Sequence, residues 1–280
     1  MRLGTLLMAI STCALALTQH GPASERPLTS GLAGSDAPLS IRGNVRIPSF
    51  DHAKMHLRIL YAEHPETLYS GCAFDSNLAI DYGHCAYRPK KDNARAHRVE
   101  WEHVVPAEAF GQNFIPWRLG HPSCLNSQGM PYRGRRCAQR VSAAYRHMEG
   151  DLYNLYPEIG ELNQIRSNHP MDTIDDPQAA LTPLKVRATS KAFEPRPEVK
   201  GDVARTYLYM SQAYPGLRIL SARRKKLFAA WSEQDPVDAW ECRRAARIEA
   251  IQGNVNHPVR DACMRQKLWP APDGPEGNKP

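Results

Sequence analysis

The chain has 280 residues, of which 42% are apolar, so it can bury a core in one large domain or two small ones. Its formal net charge of +7 favours an anionic partner such as nucleic acid or anionic lipid, and it says nothing about the fold. After the N-terminus, no run reaches the roughly 18 consecutive apolar residues that a spanning helix needs, which argues against a membrane-embedded mature protein.

The first 18 residues have the composition of a secretory signal peptide. Arg2 precedes a short apolar stretch, and Ala14-Leu15-Ala16 resembles a cleavage triplet, although Ala23 could also precede the cut. Residues 19–48 are rich in Gly, Pro and Ser, which predicts a flexible lead-in. We therefore expect a periplasmic or secreted protein whose folded domain spans residues 49–269.

The first half of that domain mixes helices, loops and a strand. Apolar periodicity predicts a helix from His52 to His64, and residues 99–105 are typical of a strand that ends at Pro106. Residues 70–91 are predicted to form a disulfide-tied loop with short strands, and residues 112–136 a loop closed by cysteines. A short helix is expected over 138–149. A further helix is expected from Pro157 to Ile165, with Asn154 near its N-terminal end.

The second half is predicted to be largely helical. Residues 172–200 are irregular, and helices are expected over 203–214, 221–231 and 236–251. The tail, residues 270–280, is expected to be disordered because it is polar and rich in Pro and Gly.

Six cysteines remain once Cys13 is assigned to the signal peptide. An even number in an exported chain predicts disulfides, but the count leaves the pairing open. We favour the sequential pairs Cys72–Cys85, Cys124–Cys137 and Cys242–Cys263, since each closes a short loop. Zinc binding is the alternative, and no Cys-x-x-Cys or His-x-x-x-His spacing supports it.

The most informative stretch is Arg98–Pro106, in which Glu102 and His103 are adjacent. Hydrolysis of a phosphodiester needs a base for water, and a neutral His serves well near neutral pH. Glu102 and Asn154 offer oxygen ligands of the kind that Mg²⁺ prefers. Adjacent strand residues point to opposite faces, so the strand should end or bend just after His103. The simpler explanations are a surface Glu-His pair and a helix cap at Asn154.

A series of motifs follows the same order as in one known family. They are Arg98–Pro106, Asp151–Leu155, Gly160–Asn163, Arg166–Asn168, Gly201–Met210, Leu227–Trp231, Pro236–Cys242 and Gln252–Val259. Together they resemble the bacterial endonuclease I family of periplasmic and secreted nucleases, over roughly Leu57 to Cys263.

The resemblance implies an α+β fold, a mainly helical mixed domain around a ββα-metal (His-Me finger) core stabilised by disulfides. It implies that His103 is the general base and that Glu102 and Asn154 bind one Mg²⁺ ion, with Mn²⁺ or Ca²⁺ as alternatives. It also implies that an arginine before the second cysteine of the central loop holds the phosphate. Spacing leaves that arginine open, and we choose Arg135, which follows a glycine, with Arg133 as the alternative.

Basic residues around this centre are the candidates for nucleic-acid contacts. We expect Arg133, Arg136 and Arg166 to bind the phosphate backbone. The simpler explanations are a solvated basic loop for the first two and a favourable charge at a helix C-terminus for Arg166.

Three departures from the family pattern concern other positions. Tyr153 stands where members often have His, and Gln164-Ile165 stands where Gly-Asp is common. Ser70 and Thr182 lie where many members have a further disulfide, so both halves of that pair are absent.

The resemblance predicts a Mg²⁺-dependent, sequence-nonspecific endonuclease that cuts double-stranded DNA, and RNA as a further substrate, leaving 5′-phosphates. We expect a monomer that does not insert into a membrane. One alternative is a nuclease that prefers RNA. Another is a non-catalytic basic protein that binds extracellular DNA or an anionic envelope polymer, which would have no need of Glu102 and His103 together with Asn154.

Overall fold

The computed structural model describes residues 42–89 and 93–271. The predicted signal peptide, most of the predicted lead-in and residues 272–280 of the predicted tail lie outside the described residues. The described end of the lead-in is packed, because Asn44 is fully buried. Its side-chain oxygen accepts from the backbone of Ile47 at 2.8 Å, and its nitrogen donates to the carbonyl of His147 at 2.7 Å. The packed structure therefore begins before residue 49.

The described residues form ten α-helices and four short strands. The helices are α1 (Phe50–Leu60), α2 (Ala107–Gly111), α3 (Ile115–Arg118), α4 (Arg135–Val141), α5 (Ala143–Glu149), α6 (Gly160–Arg166), α7 (Lys200–Ala213), α8 (Ala222–Gln234), α9 (Ala239–Gln252) and α10 (His257–Arg265). The strands are β1 (Val99–His103), β2 (Leu155–Ile159), β3 (Arg187–Ala188) and β4 (Phe193–Glu194). The fold is thus mainly helical with two-stranded sheets, as expected.

The unit that positions the candidate site consists of β1, β2 and α6. The two strands are antiparallel, with Val99 opposite Ile159 and His103 opposite Leu155. α6 follows β2 without a loop, at Gly160, where an added Cβ would lie 2.7 Å from the carbonyl oxygen of Arg95. A glycine is therefore needed for this close approach. Two strands followed by a helix have the order of the ββα core that the resemblance implied.

The predicted helix from Pro157 to Ile165 was wrong at its start, because Pro157 lies in the middle of β2. The carbonyl of Pro157 accepts a hydrogen bond from the backbone of Leu68 at 2.9 Å, on the side away from β1. The missing N–H of proline therefore removes no bond from the β1–β2 ladder. Asn154 precedes a strand and does not lie at a helix N-terminus.

The helix predicted over residues 138–149 is divided in two at Ser142. This residue has an extended backbone (φ −115°, ψ 108°), and its hydroxyl accepts from the backbone N–H of Tyr145 at 3.1 Å. An extended capping residue ends one helix and begins the next. The predicted loop over 112–136 contains α3, and the first helix ends at Leu60, four residues earlier than predicted.

Helix α9, one of the C-terminal helices, contacts the start of β2. The predicted helices over 203–214, 221–231 and 236–251 correspond to α7, α8 and α9. Arg244 of α9 is buried, and its Nη2 donates to the carbonyls of Leu152 (2.9 Å) and Leu155 (3.0 Å). Its Nε donates to the hydroxyl of Tyr61 at 2.8 Å. One side chain therefore joins α9, β2 and the end of α1.

The disulfide pairing predicted from the sequence is confirmed. Cys72–Cys85, Cys124–Cys137 and Cys242–Cys263 have Cα–Cα distances of 4.8, 5.5 and 5.8 Å. All six sulfurs are in these three disulfide bonds, so none of them is available as a zinc ligand. In the part of the chain that the structure describes, no helix is long and apolar enough to cross a membrane.

Candidate active site

A pocket of about 850 Å³ opens beside the end of β1. Its lining includes Glu102 and His103 from β1, Asn163 and Arg166 from α6, and Arg135 from α4. Because β1 ends at His103, two adjacent side chains from opposite faces of a strand both reach the pocket. The strand thus ends directly after His103, as a shared site for the two side chains requires, and two residues before the predicted end at Val105. We call Glu102, His103 and Arg166 the pocket floor.

His103 is held as a neutral base. Its ring is 7% exposed and lies 4.8 Å from the ring of Phe50, and its Nε2 is 2.9 Å from the carbonyl oxygen of Glu149. A carbonyl only accepts, so Nε2 carries the proton and Nδ1 has the free lone pair. Burial, and then the charge of Arg135, lower the pKa of His103 to about 3. The imidazole is therefore neutral near pH 7 and can accept a proton at Nδ1.

Glu102 is a buried carboxyl with two partners on one oxygen. The hydroxyl of Tyr69 donates to Oε1 at 3.1 Å, and Nη1 of Arg166 lies 2.9 Å from the same atom. Burial raises the pKa of Glu102 to about 7, although Arg166 and Tyr69 act in the opposite direction. A cation placed at this carboxyl would favour its charged form.

Arg166 was predicted to bind nucleic acid, and the structure contradicts this. Its side chain is only 1% exposed. Besides the ion pair with Glu102, the guanidinium donates to the carbonyls of His103 (2.9 Å) and Val104 (2.5 Å). It therefore fixes the backbone at the end of β1 and orients the carboxylate, and it has little surface left for a phosphate.

Asn154 was predicted to be a metal ligand, and its geometry does not agree with that role. The side chain is fully buried and is absent from the pocket lining. Its Oδ1 accepts from the backbone N–H of Val105 at 2.7 Å, and its Nδ2 donates to the carbonyl of Val105 at 3.0 Å. Both ends of the amide are thus used to hold the chain just after β1.

Asn163 takes the place in the pocket that Asn154 was expected to fill. It lies on α6, three residues before Arg166, and residues at this spacing share a helix face. Its Nδ2 donates to Oε2 of Glu100 at 3.4 Å, and its amide oxygen takes no part in this hydrogen bond. The Gly160–Asn163 motif is part of the family resemblance, but the sequence pattern alone assigns it no role. A sequence interpretation with a second strand followed directly by a helix would have favoured Asn163 over Asn154 as the residue in the pocket.

Arg135 is the arginine of the basic run that reaches the pocket. Its Nε lies 2.5 Å from Oε1 of Glu149, whose side chain is buried, while the arginine side chain is 41% exposed. The choice of Arg135 over Arg133 agrees with this placement, since Arg133 lines a neighbouring groove. Arg136 is exposed and is absent from the pocket lining. Glu149 thus contacts both candidate catalytic groups, His103 through its carbonyl and Arg135 through its carboxylate.

Four further cations at the rim of the pocket were missed in the sequence. They are Lys54, Arg58, Arg95 and Arg98. The first two are four residues apart on α1 and therefore share a helix face. Arg95 and Arg98 each form an ion pair with Glu100, at 2.6 and 3.0 Å. The spacing on α1 was visible in the sequence, but nothing there indicated that α1 borders β1.

The residues present fit a hard divalent cation. The carboxylate of Glu102 and the amide of Asn163 are among the oxygen donors that line the pocket, and oxygen donors with open positions for water suit Mg²⁺. The described residues contain no cluster of three or more His, Cys, Asp or Glu side chains suited to a metal.

The fold and the pocket define a nuclease, a phosphodiester hydrolase with a neutral histidine beside a carboxylate. Residues 50–263 match the sequence model of the family described as Endonuclease I, and the chain belongs to this family. The resemblance noted in the sequence is thereby confirmed.

Three relatives show how far the similarity extends. The chain is 37% identical over 223 residues to the extracellular deoxyribonuclease of Aeromonas hydrophila, covering 77% of this chain and 91% of that protein. It is 38% identical over 222 residues to the periplasmic deoxyribonuclease of the same organism, covering 77% and 87%. It is 34% identical over 227 residues to Endonuclease-1 of Buchnera aphidicola, covering 79% and 84%.

The compartment follows from the same findings. Relatives are named extracellular and periplasmic, and three disulfides need an oxidising environment. The predicted localisation, periplasmic or extracellular, is confirmed.

Proposed function

We propose that this chain is a Mg²⁺-dependent, sequence-nonspecific endonuclease that cuts double-stranded DNA and leaves 5′-phosphates. The observation that carries the proposal is the contact of Glu149 with both His103 and Arg135 at the edge of the pocket that contains Glu102. A base, an arginine and a carboxylate in one cleft suit phosphodiester hydrolysis. The relatives named deoxyribonucleases support DNA as the substrate.

In the proposed reaction, Nδ1 of His103 accepts a proton from the attacking water. The bond from Nε2 to the carbonyl of Glu149 keeps the ring in the required tautomer. Arg135, which is paired with the carboxylate of the same Glu149, places a positive charge where the phosphate gains negative charge. The partial exposure of Arg135 allows it to reach a phosphate, whereas Arg166 stays with the backbone.

Glu102 and Asn163 are the residues that we propose for the metal, in place of the earlier pair of Glu102 and Asn154. A bound Mg²⁺ supplies positive charge at the phosphate and at the leaving oxygen. The side chains of Tyr69 and Arg166 hold Glu102 in the pocket before the cation arrives. Mn²⁺ or Ca²⁺ could use the same oxygen donors.

The proposal is tested by digestion of plasmid DNA and of total RNA in parallel, with EDTA and with added Mg²⁺. We expect EDTA to abolish DNA degradation and Mg²⁺ to restore it, because sites with few protein oxygens bind Mg²⁺ weakly. End analysis of the products should find 5′-phosphates. Binding of DNA without any cleavage would favour a non-catalytic binding protein, and faster digestion of RNA than of DNA would favour a ribonuclease.

The metal ligands are tested separately by calorimetric titration of Mg²⁺ without substrate. Asn163→Ala should weaken Mg²⁺ binding and leave the unfolding midpoint nearly unchanged, because the side chain is only half-buried. Asn154→Ala should instead lower the midpoint, since it removes two buried hydrogen bonds. Unchanged Mg²⁺ binding in Asn163→Ala would contradict the assignment.

A further inference from the structure

The segment between Glu108 and Glu149 contains no acidic residue. It contains six arginines: Arg118, Arg133, Arg135, Arg136, Arg140 and Arg146. This stretch, which includes α3, α4 and α5, therefore carries six positive charges and no negative one. A single-sign surface of this kind attracts a polyanion.

Most of these arginines are not neutralised by the protein itself. In the described part of the chain, Arg118, Arg133, Arg136 and Arg140 are exposed and form no ion pair. Arg135 pairs with Glu149. Arg95 and Arg98, which also line the pocket, are instead paired with Glu100.

The same stretch exposes large apolar side chains. The described residues include eight exposed large hydrophobic residues, of which four lie between residues 115 and 130. These four are Ile115 (45% exposed), Leu119 (72%), Leu125 (47%) and Met130 (59%). Exposed apolar residues grouped within a basic surface mark an interaction site better than scattered ones do.

Leu125 and Met130 project from a rigid hairpin. Leu125 forms a β-bridge with Pro131, and the carbonyl of Met130 accepts from the backbone N–H of Asn126 at 2.9 Å. The side chain of Asn126 accepts from two backbone N–H groups of the turn, at 2.9 Å each. The Cys124–Cys137 disulfide closes the base of the hairpin. A rigid support loses little entropy when it binds, which suits a protruding contact.

The hairpin is continuous with the candidate active site. The backbone N–H of Gly134 donates to the carbonyl of Trp117 at 3.0 Å, and Trp117 lines the pocket. Arg135, the next residue along, also lines the pocket. A duplex whose phosphate lies at Arg135 would therefore extend over the adjoining surface. We call residues 115–137 the arm.

We propose that the arm is a duplex-binding surface that inserts Leu125 and Met130 into the minor groove beside the phosphate to be cut. This inference rests on the proposed function for the position of that phosphate. Apolar side chains that enter the minor groove partly unstack a base step and bend the duplex, and arginines at their sides bind the flanking phosphates. An enzyme that uses this contact would favour deformable sequences without reading bases.

The matched test uses two double variants of the full chain, each made in the His103→Ala background so that DNA stays intact. The wedge variant, Leu125→Ser/Met130→Ser, removes the two apolar side chains proposed to enter the minor groove. The control variant, Ile59→Ser/Met264→Ser, removes two exposed apolar side chains, 74% and 58% exposed, on α1 and α10. The probe is a short duplex that contains a fluorescent adenine analogue, whose emission rises when it is unstacked.

The wedge variant should bind the duplex about tenfold more weakly, as expected when burial of two apolar side chains is lost, and should not raise the emission. The control variant should match the parent in both respects. Parental affinity and emission in the wedge variant would overturn the proposal. Loss of binding to vesicles of anionic phospholipid in the wedge variant, with DNA binding intact, would overturn it in favour of a membrane surface.

The two proposals can fail independently. A chain with native His103 that does not cut DNA would refute the proposed nuclease reaction, whereas the wedge is measured by binding and base unstacking alone. Conversely, DNA cleavage by the chain with native His103, together with parental duplex binding and emission in the wedge variant, would refute only the role of the arm.

Discussion

The pocket floor and the arm carry their charges in opposite ways. In the floor, Arg166 and Glu102 are nearly inaccessible and are bonded to each other. In the arm, Arg133 and Arg136 are exposed, and neither forms an ion pair among the described residues. A buried, paired charge fixes geometry before substrate arrives, whereas an exposed, unpaired charge can follow the shape of a ligand.

The largest expected effect is on turnover, and it distinguishes the histidine in the pocket from an exposed histidine. His103→Ala should reduce turnover of DNA by about 10²–10⁴-fold, the usual contribution of a general base. His257→Ala, which removes an exposed imidazole on α10, should leave turnover unchanged. Steady-state digestion of plasmid DNA at saturating Mg²⁺ measures both. Turnover in His103→Ala close to that of the parent would refute the assignment of the base.

The second effect compares a buried and an exposed arginine by stability. Arg166→Met should lower the free energy of unfolding by about 3–5 kcal/mol, because it leaves Glu102 buried without its partner. Arg136→Met should change it by less than about 0.5 kcal/mol, since the side chain is exposed. Urea unfolding followed by circular dichroism gives both values. Equal losses in the two variants would show that burial does not distinguish the floor from the arm.

The sequence predicted the position of β1 well because that information is local. The adjacency of Glu102 and His103, and the proline soon after them, were enough to place a strand that ends at the site. The disulfides were predictable for the same reason, since each pair closes a short loop. Charge also indicated a basic surface, although not which part of the fold would present it.

The long-range part of the site could not be predicted from local patterns. Pro157 suggested a helix start, and this moved Asn154 toward the site, whereas pairing with β1 makes the same residues a strand. The helix then begins later, and Asn163 and Arg166 share the face toward β1. Whether Arg166 is exposed or buried depends on that packing, and an arginine at a helix end looks the same in the sequence in either case.

A third effect concerns pH. Because burial raises the pKa of Glu102 to about 7, protons should compete with Mg²⁺ for its carboxylate below that pH. Mg²⁺ binding should therefore be present above pH 7 and weaken about tenfold for each pH unit below it. His103, whose pKa is lowered to about 3, stays neutral over this range and adds no further loss. Calorimetric Mg²⁺ titrations between pH 5 and pH 8 measure the dependence. A flat profile would contradict the raised pKa of Glu102.

The smallest effect tests the arm by salt dependence. Each arginine that binds a phosphate releases counterions, so Arg133→Gln and Arg136→Gln should each reduce the slope of log affinity against log salt by about 1. Arg166→Lys should leave the slope unchanged, since its side chain contacts the backbone of β1 and the carboxylate of Glu102. Duplex binding is measured over a salt series in the His103→Ala background. A slope that falls in Arg166→Lys and not in the arm variants would reverse the comparison, because the buried arginine would then be the one that reaches the phosphate backbone.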